Sequence, residues 1–423
     1  MEAKTLREKY PEFIFKDFSF RIKDKKTEIE FFYLIKPNLS FRTNISISVL
    51  PKKQIKEKVL KNLLLNLGLV EMLNYWKLTC SPKIKIEAGF LEKEQLKFWK
   101  KLILKGMGQY FFENQIDFKE KNFLKIETQG KRDKIALGKI NRKEKKCLIA
   151  IGGGKDTPVV IEILKKKCKK LAGFVLNPNE IHQKILEKAK IKERILVKRS
   201  LDEKIFELQK IGFLKGHTPF SAFLAFLSLL LAYLFDYQKI AFGWERSSSF
   251  GNLKYKGMVI NHQWSKSKEF EKMLKNYSKK YLLENVSIVS PIRNLSEIEI
   301  AKIFSQLKDY HFDFVSCNSA FKIKNRTQRW CNKCPKCLFT FLCLFPFLPT
   351  EKIVKIFGKN LLEDKKLKPI LERLTGEKGF KPFECVGTPK ETKLAIELSL
   401  KKIKEEGEKL PVLLQKYANR RFS

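Results

Sequence analysis

The stretch Cys147–Leu164, CLIAIGGGKDTPVVIEIL, predicts both the fold of the central part of the chain and its first candidate site. The apolar run Leu148–Ile151 is typical of a buried parallel strand, and Val159–Leu164 has the pattern of an amphipathic helix. Thr157 is predicted as the N-cap of this helix and Pro158 as its first residue, where a missing N–H costs nothing. Between the strand and Thr157 lie Gly152, Gly153, Gly154, Lys155 and Asp156.

This loop has the properties of a phosphate or pyrophosphate cradle. Glycines let backbone N–H groups approach an anion, the helix N-terminus adds a positive dipole, and Lys155 adds a point charge. The spacing is neither that of a Walker A loop nor GxGxxG. It resembles the SGGxDS-type pyrophosphate loop of ATP pyrophosphatases, with an ordinary glycine-rich turn as the alternative. We therefore expect a nucleotide site here.

From residue 147 onward, short apolar runs alternate with helical patterns. This alternation predicts an α/β fold, a parallel sheet with helices on both faces, in which ligands bind beyond the carboxyl ends of the strands. Strands are predicted at 148–151, 172–176, 194–198, 239–243 and 286–290. Helices are predicted at 158–170, 180–190, 217–236, 265–283 and 297–308.

The chain before residue 145 has a different pattern, with two aromatic-rich strand candidates between residues 13 and 33 and helical patterns at 59–76 and 92–112. A charged linker is predicted at 132–146. The predicted domains are therefore a small α+β domain (1–145), an ATP-pyrophosphatase-like α/β domain (146–312) and a Cys-rich zinc-binding and helical region (313–423).

Composition limits the class of protein. The chain has 423 residues, is 43% hydrophobic and carries a formal net charge of +41. Because the lysines are scattered along the whole length, we do not expect nucleic acid as the main partner, although the charge favours anionic substrates. Nine cysteines without a secretory signal predict a reducing, cytoplasmic setting, with metal-binding or catalytic thiols rather than disulfides. The uncharged segment Thr218–Phe235 is predicted as a buried helix rather than a membrane span.

Four cysteines form a candidate metal site. Three have CxxCxxC spacing and the fourth lies 14 positions upstream, which suits a tetrahedral Zn²⁺ ion with a structural role. An iron–sulfur cluster and buried free thiols are the alternatives. The four are Cys317, Cys331, Cys334 and Cys337.

Three further loops carry candidate functional side chains, with ordinary polar loops as the alternative. After the strand at 239–243, Glu245 is suited to a metal ion or ribose, Arg246 to a phosphate, and Asn252 to orienting either. Residues 261–268 place His262 and Lys266 before a helix, which is suited to an anion. Residues 381–387 place an acid beside a thiol, and a thiol near cations is able to act as a base. These two residues are Glu384 and Cys385.

Taken together, these loops resemble one known family. The stretches that carry the resemblance are Ile151–Thr157, Gly216–Pro219, Trp244–Asn252, Val259–Ser267, Ser316–Asn318, Trp330–Cys337, Phe357–Asp364 and Lys381–Gly387. They are similar to the UDP-N-acetyl-α-D-muramoyl-L-alanyl-L-glutamate epimerases of the MurL type, with a PP-loop (HUP-like) core. The resemblance runs from about residue 13 to 400 and departs at Thr157, where the family loop usually has serine.

The resemblance implies an enzyme of peptidoglycan precursor synthesis that inverts the terminal L-Glu of UDP-MurNAc-L-Ala-L-Glu, using ATP and Mg²⁺ and releasing AMP and pyrophosphate. The loop 152–157 would hold the ATP phosphates and, through Asp156, Mg²⁺. Arg246 and Lys266 would neutralise phosphate or substrate charge, and His262 and Cys385 would transfer the α-proton. A nucleobase- or tRNA-modifying ATP pyrophosphatase, similar to 7-cyano-7-deazaguanine synthase, is the alternative enzyme. A basic nucleic-acid-binding protein with a zinc ribbon is the non-enzymatic alternative.

Overall fold

The computed structural model describes residues 1–51, 53–129, 135–140, 146–321 and 329–419. Its strands are Glu12–Lys23 (β1), Lys26–Ile35 (β2), Leu39–Ile47 (β3), Lys83–Ile86 (β4), Lys125–Thr128 (β5), Lys146–Ala150 (β6), Lys170–Leu176 (β7), Glu193–Leu201 (β8), Lys239–Ala241 (β9), Leu253–Tyr255 (β10), Met258–Ile260 (β11) and Ser287–Val289 (β12). Most of the linker predicted at 132–146 lies outside the described residues.

The helices of the first half are Ala3–Lys9 (α1), Glu57–Glu71 (α2), Leu73–Trp76 (α3), Lys93–Gly106 (α4), Gly108–Glu113 (α5), Asp156–Lys165 (α6), Glu180–Lys188 (α7) and Lys204–Lys210 (α8). Those of the second half are Phe220–Phe235 (α9), Lys268–Tyr281 (α10), Glu297–Gln306 (α11), Pro335–Leu344 (α12), Thr350–Phe357 (α13), Lys368–Leu374 (α14) and Pro389–Glu406 (α15). All five strands and five helices predicted between residues 148 and 308 are present, with ends shifted by a few residues.

Ten strands form one sheet in the order β12-β9-β6-β7-β8-β3-β2-β1-β4-β5. The first five of these run parallel to one another, as the sequence predicts. The strands β1 to β3 form an antiparallel meander, and β3 pairs antiparallel with β8. The N-terminal strands therefore extend the same sheet that carries the glycine loop, an arrangement that no local sequence pattern indicates.

Helices cover both faces of this sheet, as predicted. Neighbouring residues of β6 point to opposite faces, so that Leu148 belongs to one hydrophobic cluster and Ile149 to the other. The first cluster joins β1–β3 to α2, α4, α9 and α10, while the second joins α6, α7, α11, α12 and α15. The carboxyl ends of the parallel strands lie between these two layers and position the site.

The uncharged segment forms the helix α9, and 12 of its 16 residues are buried. Helix α9 packs against α2 and against the strands β6 and β9, which accounts for its apolar surface on all sides. Among the described residues, no helix has both the length and the apolar character needed to span a bilayer. The prediction of a buried helix is confirmed.

Two of the nine cysteines, Cys147 and Cys168, form a disulfide, which corrects the expectation of metal-binding or catalytic thiols in preference to disulfides. The β6–α6 unit carries the chain out along the strand and back along the helix, so that the two Cα atoms lie 6.3 Å apart. The separation of 21 residues gave no sign of this pairing. Neither cysteine belongs to the candidate metal site.

Candidate active site

A cavity of about 580 Å³ lies at the carboxyl ends of β6, β7, β8 and β9. Its position is the one that the parallel sheet predicts for a ligand. The glycine loop, the segment after β9 and residues from 262–266, 315–321 and 336–340 all contribute to its wall. The ionisable side chains in its lining are Lys155, Asp156, His182, Arg199, His217, Glu245, His262, Lys266, Glu297, Lys336 and Cys385.

The loop needs glycine because other groups approach it closely. A Cβ atom on Gly153 would lie 2.2 Å from the ring of Phe321, and one on Gly154 would lie 3.0 Å from the hydroxyl of Ser316. The carbonyl of Gly153 also accepts a hydrogen bond of 2.7 Å from the backbone N–H of Val315. The loop is therefore packed directly against the segment 315–321.

Thr157 is not the N-cap of α6, contrary to the prediction. The helix begins at Asp156, one residue before Thr157 and two before Pro158, because the turn after the glycines already has helical geometry at Lys155. The hydroxyl of Thr157 instead accepts a 3.2 Å hydrogen bond from the backbone N–H of Gly152. It therefore closes the loop on itself and leaves the first turn of α6 at the cavity wall.

Lys155 is buried and forms two ion pairs. Its Nζ lies 2.7 Å from Asp156 Oδ1 and also contacts Glu297 Oε2 at the start of α11. Burial alone would lower the pKa of Lys155, but the two carboxylates raise it above its ordinary value. Burial raises the pKa of Glu297, and Lys155 offsets only part of that effect. The ammonium charge predicted for phosphate binding is thus already paired within the protein.

A second buried group of charges surrounds Glu245 and Lys266. Glu245 is 2% exposed, and its Oε2 has no hydrogen-bond partner among the described residues. Burial raises the pKa of Glu245 and Lys266 opposes this, while nearby Asp156 raises it further. For Asp156, burial is outweighed by Lys155, Lys266 and Lys336, so its pKa is below its ordinary value. The cavity therefore contains one carboxylate with an unsatisfied oxygen beside another that is ionised.

The thiol of Cys385 lies in the same cavity, 3.5 Å from the Nζ of Lys266. Burial would raise the pKa of Cys385, but Lys266, Lys336 and Lys381 together lower it below its ordinary value. A thiolate favoured by nearby cations is a competent base or nucleophile. The structure thus places cations around this thiol, and its role as a base stays a prediction.

His262 also lines the cavity, and its ring contacts Gln109, which is not among the described residues that line it. Its Nδ1 lies 2.5 Å from Oε1 of Gln109 in α5, and its ring centroid is 4.5 Å from that of His217. Burial, reinforced by Lys266 and other lysines, lowers the pKa of His262 to about 3. The ring is therefore neutral at physiological pH, with a lone pair on one of its two nitrogens.

Among the residues predicted for catalysis or cofactor binding, three do not belong to the cavity lining that the described residues form. Arg246 is exposed at the start of a 3₁₀ turn, so that its side chain points away while that of Glu245 points inward. Asn252 joins loops: its amide donates to the carbonyls of Lys381 and Pro382, and its oxygen accepts from the backbone N–H of His262. Glu384 accepts a hydrogen bond from Asn318 beside the cavity.

The four predicted cysteines converge. Their sulfur atoms all lie within 4.8 Å of one another, a spacing suited to a single metal ion. Cys334 caps the helix α12, whose next residues reach the cavity. The fourth cysteine of the cluster, Cys317, lies between Ser316 and Asn318, which both line the cavity. The cysteine cluster and the cavity wall are thus built from the same segments.

Sequence reasoning missed several cavity residues. Asn177 follows β7 and Arg199 lies near the end of β8, so the rule on strand ends could have found both. Arg199 is held by Glu71 of α2, with 3.2 Å between Nη1 and Oε2. Glu297 and Lys336 lie at or beside helix starts far along the chain. No local pattern distinguishes them from capping or surface residues.

Two protein-family models together match most of the chain. The model of the MurL N-terminal domain matches residues 4–290, and that of the MurL C-terminal domain matches residues 313–420. The chain belongs to the MurL family. Its predicted resemblance to this family is thereby confirmed, and both family domains contribute to the cavity described above.

Three curated MurL relatives are each named UDP-N-acetyl-alpha-D-muramoyl-L-alanyl-L-glutamate epimerase. That of Micromonospora sp. is 34% identical over 299 residues, 70% of this chain and 65% of the relative. That of Salinispora tropica is 37% identical over 251 residues, 59% of this chain and 55% of the relative. That of Xanthomonas oryzae pv. oryzae is 31% identical over 333 residues, which are 78% of this chain and 72% of the relative. The matched part thus spans just under two thirds of the Micromonospora protein.

Proposed function

We propose that this member of the MurL family is an ATP-dependent epimerase acting in peptidoglycan precursor synthesis. It inverts the terminal L-Glu of UDP-MurNAc-L-Ala-L-Glu to D-Glu through adenylation of a carboxylate. The names of the three relatives support the reaction and the substrate. The observation that carries the proposal is one cavity that contains a glycine loop at a helix N-terminus, a thiol beside a lysine, and a neutral histidine.

The chemistry explains why such an enzyme needs ATP. Removing the α-proton next to an ionised carboxylate places negative charge beside negative charge. Attack of the carboxylate oxygen on the α-phosphorus of ATP, with loss of pyrophosphate, removes that charge and acidifies the α-proton. A base then takes the proton, a proton is delivered to the opposite face, and water cleaves the acyl–phosphate bond to release AMP and the D-product. The glycine loop and the first turn of α6 supply N–H groups and dipole for the phosphates.

Cys385 and His262 are the proton-transfer groups in this proposal. Lys266 stabilises the thiolate of Cys385 and is available to the developing negative charge of the substrate. His262 is neutral and offers a ring nitrogen as proton acceptor. Two separate groups suit inversion, since one has to remove a proton and the other has to supply one from the opposite face.

Two metals belong to the proposal. Asp156 and Glu245 would hold Mg²⁺, and the unsatisfied buried Oε2 of Glu245 fits an oxygen ligand of a hard cation. Mg²⁺ would neutralise the charge on the phosphates. A structural Zn²⁺ ion would bind the four cysteines, whose sulfur spacing and ligand type suit tetrahedral coordination without an open position.

The proposal is tested by one coupled assay. The protein is mixed with ATP, Mg²⁺ and UDP-MurNAc-L-Ala-L-Glu in D₂O, and AMP, glutamate chirality and α-deuterium are measured. We expect AMP to form together with D-Glu, and the D-Glu to carry deuterium at its α-carbon. AMP without inversion would contradict the epimerase and favour the nucleobase- or tRNA-type ATP pyrophosphatase, and no AMP would contradict adenylation.

Variants assign the bases. Cys385→Ser and His262→Gln are each expected to lower deuterium incorporation by roughly 10²- to 10⁴-fold, the usual contribution of a positioned acid or base. Cys343→Ala is the matched thiol control, because Cys343 is buried but lies outside the cavity lining. Wild-type incorporation in both variants would show that other groups move the proton.

A further inference from the structure

The hydrogen bonds around His262 determine which of its nitrogens carries the proton. Gln109 lies in α5, one turn before Glu113, and its Nε2 donates a 2.7 Å hydrogen bond to Glu113 Oε1. A carboxylate only accepts hydrogen bonds, so the NH₂ group of the amide has to face Glu113. The carbonyl Oε1 of Gln109 is consequently the atom that faces His262 Nδ1 at 2.5 Å.

A carbonyl oxygen only accepts as well, so Nδ1 of His262 has to be the donor in this contact. In a neutral imidazole one nitrogen donates and the other carries a lone pair, and the hydrogen bond made by one nitrogen sets the role of the other. His262 is therefore the Nδ1–H tautomer, with the lone pair on Nε2. The opposite orientation of the amide would place the carbonyl of Gln109 against the carboxylate of Glu113.

We propose that Gln109, oriented by Glu113, is a positioning residue that holds His262 in the Nδ1–H tautomer and leaves the Nε2 lone pair to accept a proton in the cavity. Gln109 is 8% exposed and is not part of the cavity lining that the described residues form, so it acts through His262. When Nε2 gains the α-proton, the positive ring still donates Nδ1–H to Gln109, and the proton later leaves from Nε2. The assignment of the tautomer stands on its own, while its use in proton transfer rests on the proposed function.

The backbone of His262 is fixed independently of its ring. Asn252 accepts from the N–H of His262 at 2.8 Å and donates to two carbonyls just before Cys385. Replacing Gln109 should therefore free the ring without moving the backbone that carries it. A substitution of Gln109 therefore tests the tautomer of the His262 ring separately from the position of the His262 backbone.

The test is a nitrogen NMR spectrum of the whole protein labelled with ¹⁵N-histidine. The chain has only four histidines, and single substitutions assign their signals. We expect the wild-type His262 to show a protonated Nδ1 and an unprotonated Nε2. In Gln109→Leu this pattern should be lost, with the proton moving at least in part to Nε2. The double variant Gln109→Glu/Glu113→Gln, which keeps an acceptor towards His262 and lets the amide at position 113 donate to position 109, should restore the protonated Nδ1.

Gln183→Leu is the matched control, because Gln183 makes the same contact one helical turn along, 2.9 Å to Glu187 Oε1, on an exposed helix face. It should leave the His262 signals unchanged. Deuterium incorporation should fall about 10- to 100-fold in Gln109→Leu, recover in Gln109→Glu/Glu113→Gln and stay at wild-type level in Gln183→Leu.

A protonated Nε2 in the wild type would overturn the proposal even if no variant folds. An unchanged pattern in folded Gln109→Leu would overturn it too. If the wild type shows the expected tautomer but no epimerisation, the assignment of the tautomer stands and the proposed function fails.

Discussion

Replacing Lys155 by methionine should destabilise the protein by about 3–5 kcal/mol, the usual cost of removing one partner from a buried ion pair. Lys155 and Glu297 are each only 5% exposed in their side chains, and the ammonium lies 2.7 Å from Asp156 Oδ1. At that distance, with an effective dielectric constant of about 20, the attraction is roughly 6 kcal/mol. The folded protein has already removed the two carboxylates from water, so the variant takes away their attraction to Lys155 without restoring their hydration.

Glu297 is the group left without a partner, because Asp156 retains Lys266 and Lys336 nearby. The double variant Lys155→Met/Glu297→Gln should therefore recover at least about 2 kcal/mol relative to the single variant, within the range of coupling between contacting residues. Urea unfolding at neutral pH, followed by tryptophan fluorescence at constant metal content, measures both free energies of unfolding.

Lys165→Met is the matched control. Lys165 lies at the other end of α6 and its Nζ is likewise 2.7 Å from a carboxylate, that of Glu162, but these side chains are 35% and 31% exposed. An exposed pair of this kind contributes less than about 1 kcal/mol. The reasoning is refuted if Lys155→Met lowers the free energy of unfolding no more than Lys165→Met does. It is also refuted if the double variant is no more stable than Lys155→Met, because Lys155 would then not stabilise the fold by pairing with Glu297.

Three further outcomes are expected. Purified protein should contain about one zinc ion per chain by elemental analysis, with Cys334→Ser losing most of it and Cys343→Ala retaining it, since only the first residue belongs to the cluster. Retention of zinc in Cys334→Ser would contradict a four-thiolate site. Arg246→Ala should keep the rate of AMP formation within about twofold of the wild type, because Arg246 is exposed and lies outside the cavity lining that the described residues form. A tenfold loss would show that a ligand also binds outside the cavity. Thr157→Val should lower stability by about 1 kcal/mol through the lost bond to Gly152, whereas Thr157→Ser should not, and equal melting temperatures would refute this.

The sequence alone was sufficient for the elements that local patterns encode. A strand, a glycine loop and a helix follow one another within 147–165. The pattern of apolar residues identifies the strand and the helix, and the three glycines identify the loop between them. The cysteine cluster was also predictable, since three of its thiols lie within seven residues. Family membership was predictable from the resemblance of several loop sequences to the MurL type, which the family models confirm.

Other predictions depended on side-chain direction, which a residue type does not encode. Glu245 and Arg246 are neighbours in one loop, yet the first is buried in the cavity wall and the second is exposed. The 3₁₀ turn that begins at Arg246 causes this difference. Asn252 was assigned to ligand binding by type, whereas its hydrogen bonds go to the backbone of two other loops.

By itself, then, the sequence determined the alternation of strands and helices, the glycine loop between strand and helix, the thiol cluster and the family. Only the tertiary structure decided that β3 pairs with β8, that Glu297 contacts Lys155 across 142 positions, and that Gln109 orients His262 across 153. The physical reason is that propensity and periodicity act within a few turns of chain. Burial and charge pairing instead act between whichever side chains the packed sheet brings together, however far apart they lie in sequence.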